Sequence, residues 1–318
     1  MKATTLFLLL ALLLAGCRRE EAAPAALATA TITPTPFSTA LPPLPTEIAP
    51  GSQEDRPLQM LVYARDNRAT RDAVEGLQAA LLERGLFVEI IAVQRYAEAL
   101  AALCASGAGQ VSVAWLDGIS YAAARAQNCG TPALQVERDS ETGRALEIIV
   151  TRDLGITTIA SLRQRSFCRI SYDDYDTWLA PTLLLRANDL NPLTAFESIS
   201  DYEDVEALLR AVAGGNCDAA AIPVGTLDDP DYATLAEDVR VVATSAPFPY
   251  NVLLLPSAVP LGVRLQLVDA LEAVADDETL AGTLRVLVGQ DALVTVTELT
   301  EFDTFLDSTG LDFAQLGS

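Results

Sequence analysis

Two turns rich in acidic and aromatic side chains carry the residues best suited to bind a ligand. The first turn (residues 117–121, DGISY) follows a short apolar run, and the second turn (residues 172–177, YDDYDT) places three carboxylates beside two tyrosines. Carboxylates attract cations, and aromatic faces stabilise them further. The candidate ligand-binding residues of these turns are Asp117, Ser120, Tyr121, Tyr172, Asp173, Asp174, Tyr175, Asp176 and Thr177.

The same aspartates have a structural alternative, because an Asp at the start of a helix accepts hydrogen bonds from the first free backbone amides. It also complements the helix dipole, a contribution of about 0.3 to 1 kcal/mol for each residue. Both interpretations stay open for each Asp, and Tyr121 is either a ligand contact or a core aromatic. Further candidates are Arg65, Asn67 and Thr226, which follow predicted strands, and Tyr250 and Asn251, which lie in a segment predicted to cross between two lobes.

Composition excludes several classes of function. The sequence contains no His, which rules out His metal sites and His-based catalytic triads. Its net charge of −22 would repel the phosphates of nucleic acids. Paired Asp residues can act in general acid/base catalysis, but no nucleophile, metal-ligand set or phosphate-binding loop accompanies them. We therefore expect a protein that binds a small ligand without catalysis, cofactor or metal.

The elements that position the first turn are a buried strand and a helix. In residues 109–125, GQVSVAWLDGISYAAAR, the apolar run predicts the strand, and Ser120 is a suitable N-cap for the helix. Alternating strands and helices predict βαβ units, whose strand ends face a ligand crevice. Upstream, the same pattern predicts strands at residues 58–64 and 86–93 and helices at residues 70–84 and 96–106.

The alternation of strands and helices restarts further along the chain, which predicts a second lobe of the same design. Two extended apolar segments, residues 147–151 and 248–252, are predicted to cross between the lobes. The fold class is therefore α/β, with two lobes of parallel or mixed sheets and a cleft that closes by a hinge. Arg65 could also pair with an Asp across this cleft. The predicted lobes are residues 57–147 with 248–318, and residues 148–247.

The N-terminal residues predict export and lipidation. Lys2, the apolar run at residues 6–14 and the sequence Leu-Ala-Gly-Cys ending at Cys17 form the pattern of a lipoprotein signal peptide, residues 1–17. The apolar run is too short for a transmembrane helix. Residues 18–56, rich in Ala, Pro and Thr, predict a disordered tether. We expect an extracytoplasmic protein that lipidated Cys17 anchors to a membrane surface.

Four further cysteines, two in each predicted lobe, allow three sets of two disulfides. Disulfides are favoured outside the cytoplasm. In the predicted layout, Cys104 and Cys129 lie at helix ends at the bottom of the first lobe, whereas Cys168 and Cys217 begin neighbouring strands of the second. The pairs Cys104–Cys129 and Cys168–Cys217 are therefore predicted. A reactive cysteine is the alternative, but no His partner or CxxC motif supports it.

The string GQVSVAWLDGISY, which begins at Gly109, resembles the GxVDVAWLGPLSY segment of phosphonate/phosphate-type substrate-binding proteins of ABC transporters. Those proteins have the type II periplasmic binding fold, and the resemblance extends over about residues 57–312. It implies that the chain binds a small solute and delivers it to an ABC permease, as a monomer. A ligand-sensing module for a signalling partner is the alternative function.

The sequence departs from this family at the anion-binding motif. The relatives carry a motif like GSTSG, followed by a Pro, whose hydroxyls and amides hold the anion. Aligning FCRISYDDYDTWLAP on Phe167 and Pro181 puts residues 174–177, DYDT, at the STSG positions, and Asp117 stands where the family has Gly. A carboxylate about 4 Å from an anion costs about 4 kcal/mol at an effective dielectric constant near 20. We therefore predict a cationic or polyhydroxylated solute rather than phosphate or a simple phosphonate.

Overall fold

The computed structural model describes residues 48–107, 109–290 and 292–314, which belong to one compact unit. The predicted signal peptide, lipidated Cys17 and residues 18–47 of the predicted tether lie outside the described residues. Within the described ranges, no helix is long and apolar enough to cross a membrane.

Strands and helices alternate along the chain, as the α/β class requires. Within the described residues the strands are β1 (Leu58–Tyr63), β2 (Val88–Val93), β3 (Ser112–Leu116), β4 (Thr131–Glu137), β5 (Gly143–Arg144), β6 (Leu146–Thr151), β7 (Ser166–Arg169), β8 (Ser198–Asp201), β9 (Ala219–Pro223), β10 (Val239–Thr244), β11 (Phe248–Pro249), β12 (Val252–Leu255) and β13 (Ala292–Thr295). The α-helices are α1 (Arg68–Glu83), α2 (Tyr96–Cys104), α3 (Gly118–Ala126), α4 (Ala180–Ala187), α5 (Pro192–Ala195), α6 (Val205–Ala213), α7 (Ala233–Ala236), α8 (Leu261–Ala275), α9 (Ala281–Val288) and α10 (Thr300–Ser308). A π-helical turn (Tyr175–Leu179) leads into α4, and short 3-10 turns are Arg152–Leu154, Ile159–Leu162, Thr226–Asp228 and Pro230–Tyr232.

The first sheet has six strands in the order β13-β4-β12-β3-β1-β2. β1 is parallel to β2 and β3, whereas β12 runs antiparallel to β3 and β4. Successive residues of β1 enter different apolar clusters: Met60 packs with Leu77 and Leu267, and Leu61 packs with Leu100. Because side chains alternate between the faces of a strand, both faces of this sheet are covered.

The second sheet has five strands in the order β10-β6-β9-β7-β8. β7 is parallel to β8 and β9, and β6 runs antiparallel to β9 and β10. Ile148 of β6 packs with Phe167 and Leu185, whereas its neighbour Ile149 packs with Leu209 in a separate cluster. Both sheets are therefore mixed: β12 and β13 run against the parallel strands of the first sheet, and β6 runs against those of the second.

The chain passes between the sheets at β5 and β11, which pair with each other as an antiparallel ribbon. Gly143 is required there, because a Cβ at this position would lie 2.5 Å from the carbonyl oxygen of Phe248. The predicted first crossing, residues 147–151, is instead part of β6, which has paired strands on both sides. The apolar residues Ile148, Ile149 and Val150 are all buried, which reflects burial on both faces of a sheet. We therefore propose β5 and β11 as the boundaries of the lobes.

Several elements differ from those predicted. β4, β13 and α10 were not predicted, although β4 is a central strand of the first sheet. In α10, Phe305 packs against apolar clusters of both lobes. Residues 48–56, predicted as the end of the tether, form a turn against the first sheet, in which the Phe87 amide donates to the Gly51 carbonyl at 2.8 Å.

Each lobe contains one disulfide. Cys104–Cys129 joins the end of α2 to the segment after α3, and Cys168–Cys217 joins β7 to the segment before β9. These are the two pairs predicted from the sequence. α3 begins in the first turn and β7 leads into the second turn, so each disulfide restrains an element that carries a turn.

Candidate functional site

A cavity of about 290 Å³ lies beside the β5-β11 ribbon, between the first and second turns. Side chains from both lobes and from the ribbon form its wall, and aromatic rings predominate among them. The lining residues are Tyr63, Tyr96, Asp117, Arg138, Arg144, Tyr175, Asp176, Phe248, Pro249, Tyr250 and Asn251.

The first turn presents Asp117 to the cavity while Asp117 also begins α3. Its carboxylate accepts the backbone amide hydrogen of Ser120 at 2.7 Å, so it is the N-cap of the helix. Gly118 is tightly enclosed, since a Cβ there would lie 3.0 Å from both Pro249 Cδ and the Tyr175 hydroxyl. Tyr121 points the other way, is buried, and donates its hydroxyl to the Asp303 carboxylate. Ser120 and Tyr121 therefore do not line the cavity.

The second turn separates its three carboxylates. Asp174 accepts both the amide and the hydroxyl hydrogen of Thr177, at 2.7 and 2.6 Å, and thereby caps the π-helical turn. Asp173 accepts the Ser171 hydroxyl at 2.6 Å on the surface. Asp176 lines the cavity. The predicted contacts from Tyr172, Asp173, Asp174 and Thr177 are thus absent from the described cavity, and Tyr172 is 69% exposed.

Two arginines of the cavity interact with its own wall. Arg144 Nη1 lies 2.6 Å from Asp176 Oδ2, an ion pair that joins the ribbon to the second turn. The Arg138 guanidinium lies 4.5 Å above the centre of the Tyr250 ring. Arg138 also donates to the carbonyl oxygens of Val288, at 3.2 Å, and Gly289.

Tyrosines form another part of the wall. Tyr63 and Tyr96 stack with ring centroids 4.6 Å apart. The Tyr96 hydroxyl donates to Asn251 Oδ1 at 2.9 Å, and burial raises the pKa of Tyr96, with the nearby charge of Asp117 adding to the rise. The Tyr175 hydroxyl is buried and lies close to the Gly118 backbone, but has no partner in hydrogen-bond geometry among the described residues.

The two carboxylates of the cavity are held differently. Burial raises the pKa of Asp117, and its hydrogen bonds from Ser120 oppose this rise. Burial also raises the pKa of Asp176, against the opposing positive charge of Arg144. Among the described residues, Asp176 has an arginine as ion partner and Asp117 has none.

The cavity brings together the predicted residues Asp117, Tyr175, Asp176, Tyr250 and Asn251. The remaining candidates lie elsewhere. Arg65 is exposed beyond the end of β1, and Asn67 caps α1 by accepting the Thr70 amide hydrogen at 2.9 Å. The Thr226 hydroxyl donates to the carbonyl of Pro223 at 2.7 Å, within its own turn. The side chains of Asn67 and Thr226 are therefore bonded to the nearby backbone rather than directed into the cavity.

Sequence reasoning missed six lining residues, five of which lie at or just after a strand end or in the ribbon, while Tyr96 begins α2. Tyr63 ends β1, directly before the predicted candidates of that corner. Arg138 directly follows β4 and Arg144 ends β5, so both precede the segment predicted as the first crossing. A crossing that supplies ligand contacts on the return passage, as at Tyr250, would also be expected to supply them on the outward one. The missed residues are Tyr63, Tyr96, Arg138, Arg144, Phe248 and Pro249.

Within the described ranges, no group of Cys, Asp and Glu side chains is arranged to hold a metal ion. The charged groups that line the cavity are Asp117, Asp176, Arg138 and Arg144. Their formal charges cancel, so the cavity as a whole is neutral when all four are ionised. Its chemistry is that of binding through ring faces, hydroxyls and local charges.

Comparison with known proteins agrees with this architecture. Residues 62–300 match the model of a family described as "ABC transporter, phosphonate, periplasmic substrate-binding protein". Two structures of XAC2383 from Xanthomonas citri, bound to chloride ion and to ATP, share the fold with a TM-score of 0.56, at 17% and 16% identity. Those alignments cover 80% of this chain and 97% and 96% of the others. Mh-p37 of Mycoplasma hyorhinis has a TM-score of 0.53 at 10% identity, over 81% of this chain and 99% of its own.

No curated protein matches the sequence. At these identities the structural likeness concerns the fold alone, which is the type II periplasmic binding fold predicted from the sequence. The family match spans the chain from β1 to the first residue of α10. The resemblance carried by GQVSVAWLDGISY is thereby confirmed. The chain belongs to the phosphonate-type family of periplasmic substrate-binding proteins of ABC transporters.

Proposed function

We propose that this protein captures a small solute in the cavity beside the ribbon, without chemical change, and delivers it to an ABC permease as a monomer. The observation that carries the proposal is the origin of the lining residues. Tyr96 and Asp117 come from the first lobe, whereas Tyr175 and Asp176 come from the second. A solute that contacts both sets favours a closed arrangement of the lobes, and such a population shift gives a permease a signal to recognise.

A simple phosphonate or phosphate fits this cavity poorly. Anions are held at helix N-termini by free backbone amides. Here the Ser120 amide already donates to Asp117, and the Thr177 amide already donates to Asp174. We therefore keep the cationic or polyhydroxylated solute predicted from the sequence. The contacts of that solute would come from Asp117 and Asp176, and the other acidic residues of the second turn would remain structural.

A solute library screened by thermal shift tests the proposal, with Tyr63→Ala as the diagnostic variant. Tyr63 lines the cavity and is 44% exposed, so its truncation should change the fold little. We expect Tyr63→Ala to weaken the best solute at least about tenfold, which corresponds to about 1.4 kcal/mol. Tyr172→Ala, an exposed tyrosine outside the cavity, is the matched control and should bind as the wild type does. Equal effects of the two variants, or no binding by the wild type, would contradict the proposal.

We also propose that residues 1–17 are removed and that residues 18–47 tether the folded part to lipidated Cys17. The family works outside the cytoplasm, and the Leu-Ala-Gly-Cys pattern supports lipidation. Expression of the full chain with Cys17→Ser should move the protein from the membrane fraction to the soluble fraction. Retention of the variant in the membrane fraction would show that another segment anchors the chain.

A further inference from the structure

The Asp117 end of the cavity combines a partly buried carboxylate with aromatic walls. Tyr63 and Tyr96 stack on each other at this end, and Tyr175 reaches over from the second lobe to the backbone of Gly118. The negative charge of Asp117 is near enough to both neighbouring phenols to raise the pKa of Tyr96 and of Tyr175, after burial as the main cause. Both phenols therefore stay neutral at physiological pH.

The arginines of the described chain leave Asp117 without an ion partner. Arg144 forms its ion pair with Asp176, and Arg138 lies over the Tyr250 ring. The carboxylate of Asp117 receives its hydrogen bonds as the N-cap of α3. A buried carboxylate is unfavourable unless a counter-charge accompanies it, and a ligand can supply that charge.

On the basis of the function proposed above, we infer that the solute carries an alkylated ammonium group, which occupies the space between Asp117 and the rings of Tyr63, Tyr96 and Tyr175. A quaternary ammonium is attracted both to a carboxylate and to aromatic rings, and it requires no hydrogen-bond acceptor. A primary ammonium has three N–H donors to satisfy. At this end of the cavity Asp117 already accepts the Ser120 amide hydrogen, the Tyr96 hydroxyl is bonded to Asn251, and the Tyr175 hydroxyl is buried beside the Gly118 backbone. Three ring faces around one carboxylate favour the alkylated group.

The N-cap of α3 does not itself require a charge. Asn caps helices as well as Asp does, and its neutral amide avoids the burial of a carboxylate. Asp117→Asn therefore preserves the start of the helix and removes the proposed counter-charge. In the second turn, Asp174→Asn makes the same change at an N-cap that does not line the cavity, so it is the matched control.

Choline and 3,3-dimethyl-1-butanol separate charge from shape, because the alcohol has carbon in place of the quaternary nitrogen. We expect titration calorimetry to show that the wild-type chain binds choline at least about tenfold more tightly than the uncharged alcohol, a preference within the range of cation–π contacts reinforced by a carboxylate. Asp117→Asn should lose most of this preference and keep only the part that the aromatic rings supply. Asp174→Asn should keep the wild-type preference.

Equal affinity of the wild type for choline and the alcohol would overturn the inference, as would an undiminished preference in Asp117→Asn. It would also be overturned if choline failed to bind at millimolar concentration while another solute bound in a manner that Tyr63→Ala abolished. That last result would leave the proposed solute-binding function intact. The proposed function itself would fail if no solute of the library bound the wild type.

Discussion

The first and second turns both begin a helix with a capping Asp. They differ in whether the carboxylate that lines the cavity has an ion partner. In each turn an Asp accepts the amide hydrogen of the residue three positions further on, at 2.7 Å. In the first turn this capping carboxylate, Asp117, also lines the cavity. In the second turn the cap, Asp174, lies outside the cavity, and Asp176 lines it in an ion pair with Arg144.

This difference teaches that the ion partners of the carboxylates, rather than their number, determine the local charge of the cavity wall. The sequence predicted four carboxylates around the ligand. In the structure Asp174 accepts the Thr177 amide hydrogen as a helix cap, and Asp173 accepts the Ser171 hydroxyl on the surface. Asp176 forms an ion pair with Arg144. Of the two carboxylates that line the cavity, Asp176 is paired with Arg144 and Asp117 has no ion partner among the described residues, so the uncompensated negative charge lies at the Asp117 end.

The largest expected effect comes from separating the two turns with Gly118→Val. The new side chain would meet Pro249 and the Tyr175 hydroxyl at about the 3.0 Å found for a Cβ, so one turn must move away from the other. We expect the free energy of unfolding to fall by about 1–3 kcal/mol, as overpacking does, and ligand binding to be lost. Urea denaturation and calorimetry measure the two effects.

Gly262→Val is the control for Gly118→Val, because a Cβ at Gly262 of α8 meets no atom within 4 Å. Its free energy of unfolding should stay within about 0.5 kcal/mol of the wild type, as for most surface substitutions. If Gly118→Val proved as stable as this control, the close contact between the turns would not exist in solution.

The second expected effect distinguishes the two caps. Asp174→Ala removes both hydrogen bonds from Thr177, so the free energy of unfolding should fall by about 1 kcal/mol, the typical loss of an N-cap. Asp174→Asn should retain most of that stability. Because Asp174 does not line the cavity, neither variant should change ligand affinity in calorimetry. A loss of affinity in Asp174→Asn would mean that Asp174 contacts the ligand after all.

The third expected effect is a pH dependence that belongs to Asp117. Burial raises its pKa, so the folded protein binds this proton more tightly than the unfolded chain does. The resulting stabilisation is complete below the ordinary Asp pKa of about 3.9 and is lost as the pH rises through the raised folded value. Tyr96 and Tyr175, whose pKa values are also raised, stay neutral there, and the Asp176–Arg144 pair is common to both proteins compared.

Urea denaturation of the ligand-free wild type and of Asp117→Asn, over about pH 3 to 8, measures this dependence. The unfolding free energy of the wild type relative to the variant should fall as the pH rises. A constant difference between the two proteins would mean that water solvates Asp117 as fully in the folded state as in the unfolded chain.

The smallest expected effect is the coupling within the ion pair. A double-mutant cycle with Asp176→Asn and Arg144→Gln should give about 0.2–1 kcal/mol, because both side chains are partly exposed, at 31% and 41%. The coupling should shrink as salt is added. The same cycle with Asp117→Asn in place of Asp176→Asn should give a coupling near zero, and a coupling of equal size would show that Arg144 compensates both carboxylates.

Much of the fold could be predicted from the sequence, because apolar periodicity and turn residues mark strands and helices locally. The prediction failed where one pattern has two structural meanings. The apolar run at residues 147–151 is compatible with a crossing segment and with a central strand, and pairing with β9 and β10 makes it the latter. Arg144 was missed for the same reason, since it lies in β5, the crossing that we propose, just before the run.

The candidate site was predicted in part for a related reason. Asp117, Tyr175 and Asp176 sit in turns whose positions follow from the neighbouring strands, so the sequence alone indicated them. Tyr63 and Tyr96 carry no local sign of a ligand contact, because an aromatic residue at a strand or helix end occurs equally well in an apolar core.

The sequence by itself determined the α/β alternation and the two turns that begin with a capping Asp, because these depend on residues a few positions apart. Only the tertiary structure decided which carboxylates face the cavity and which one lacks an ion partner in the described chain. Arg144 reaches Asp176 across 32 positions, and Tyr96 reaches Asn251 across 155. Such pairs meet because the topology of the sheets brings them together, and no local pattern of residues encodes that proximity.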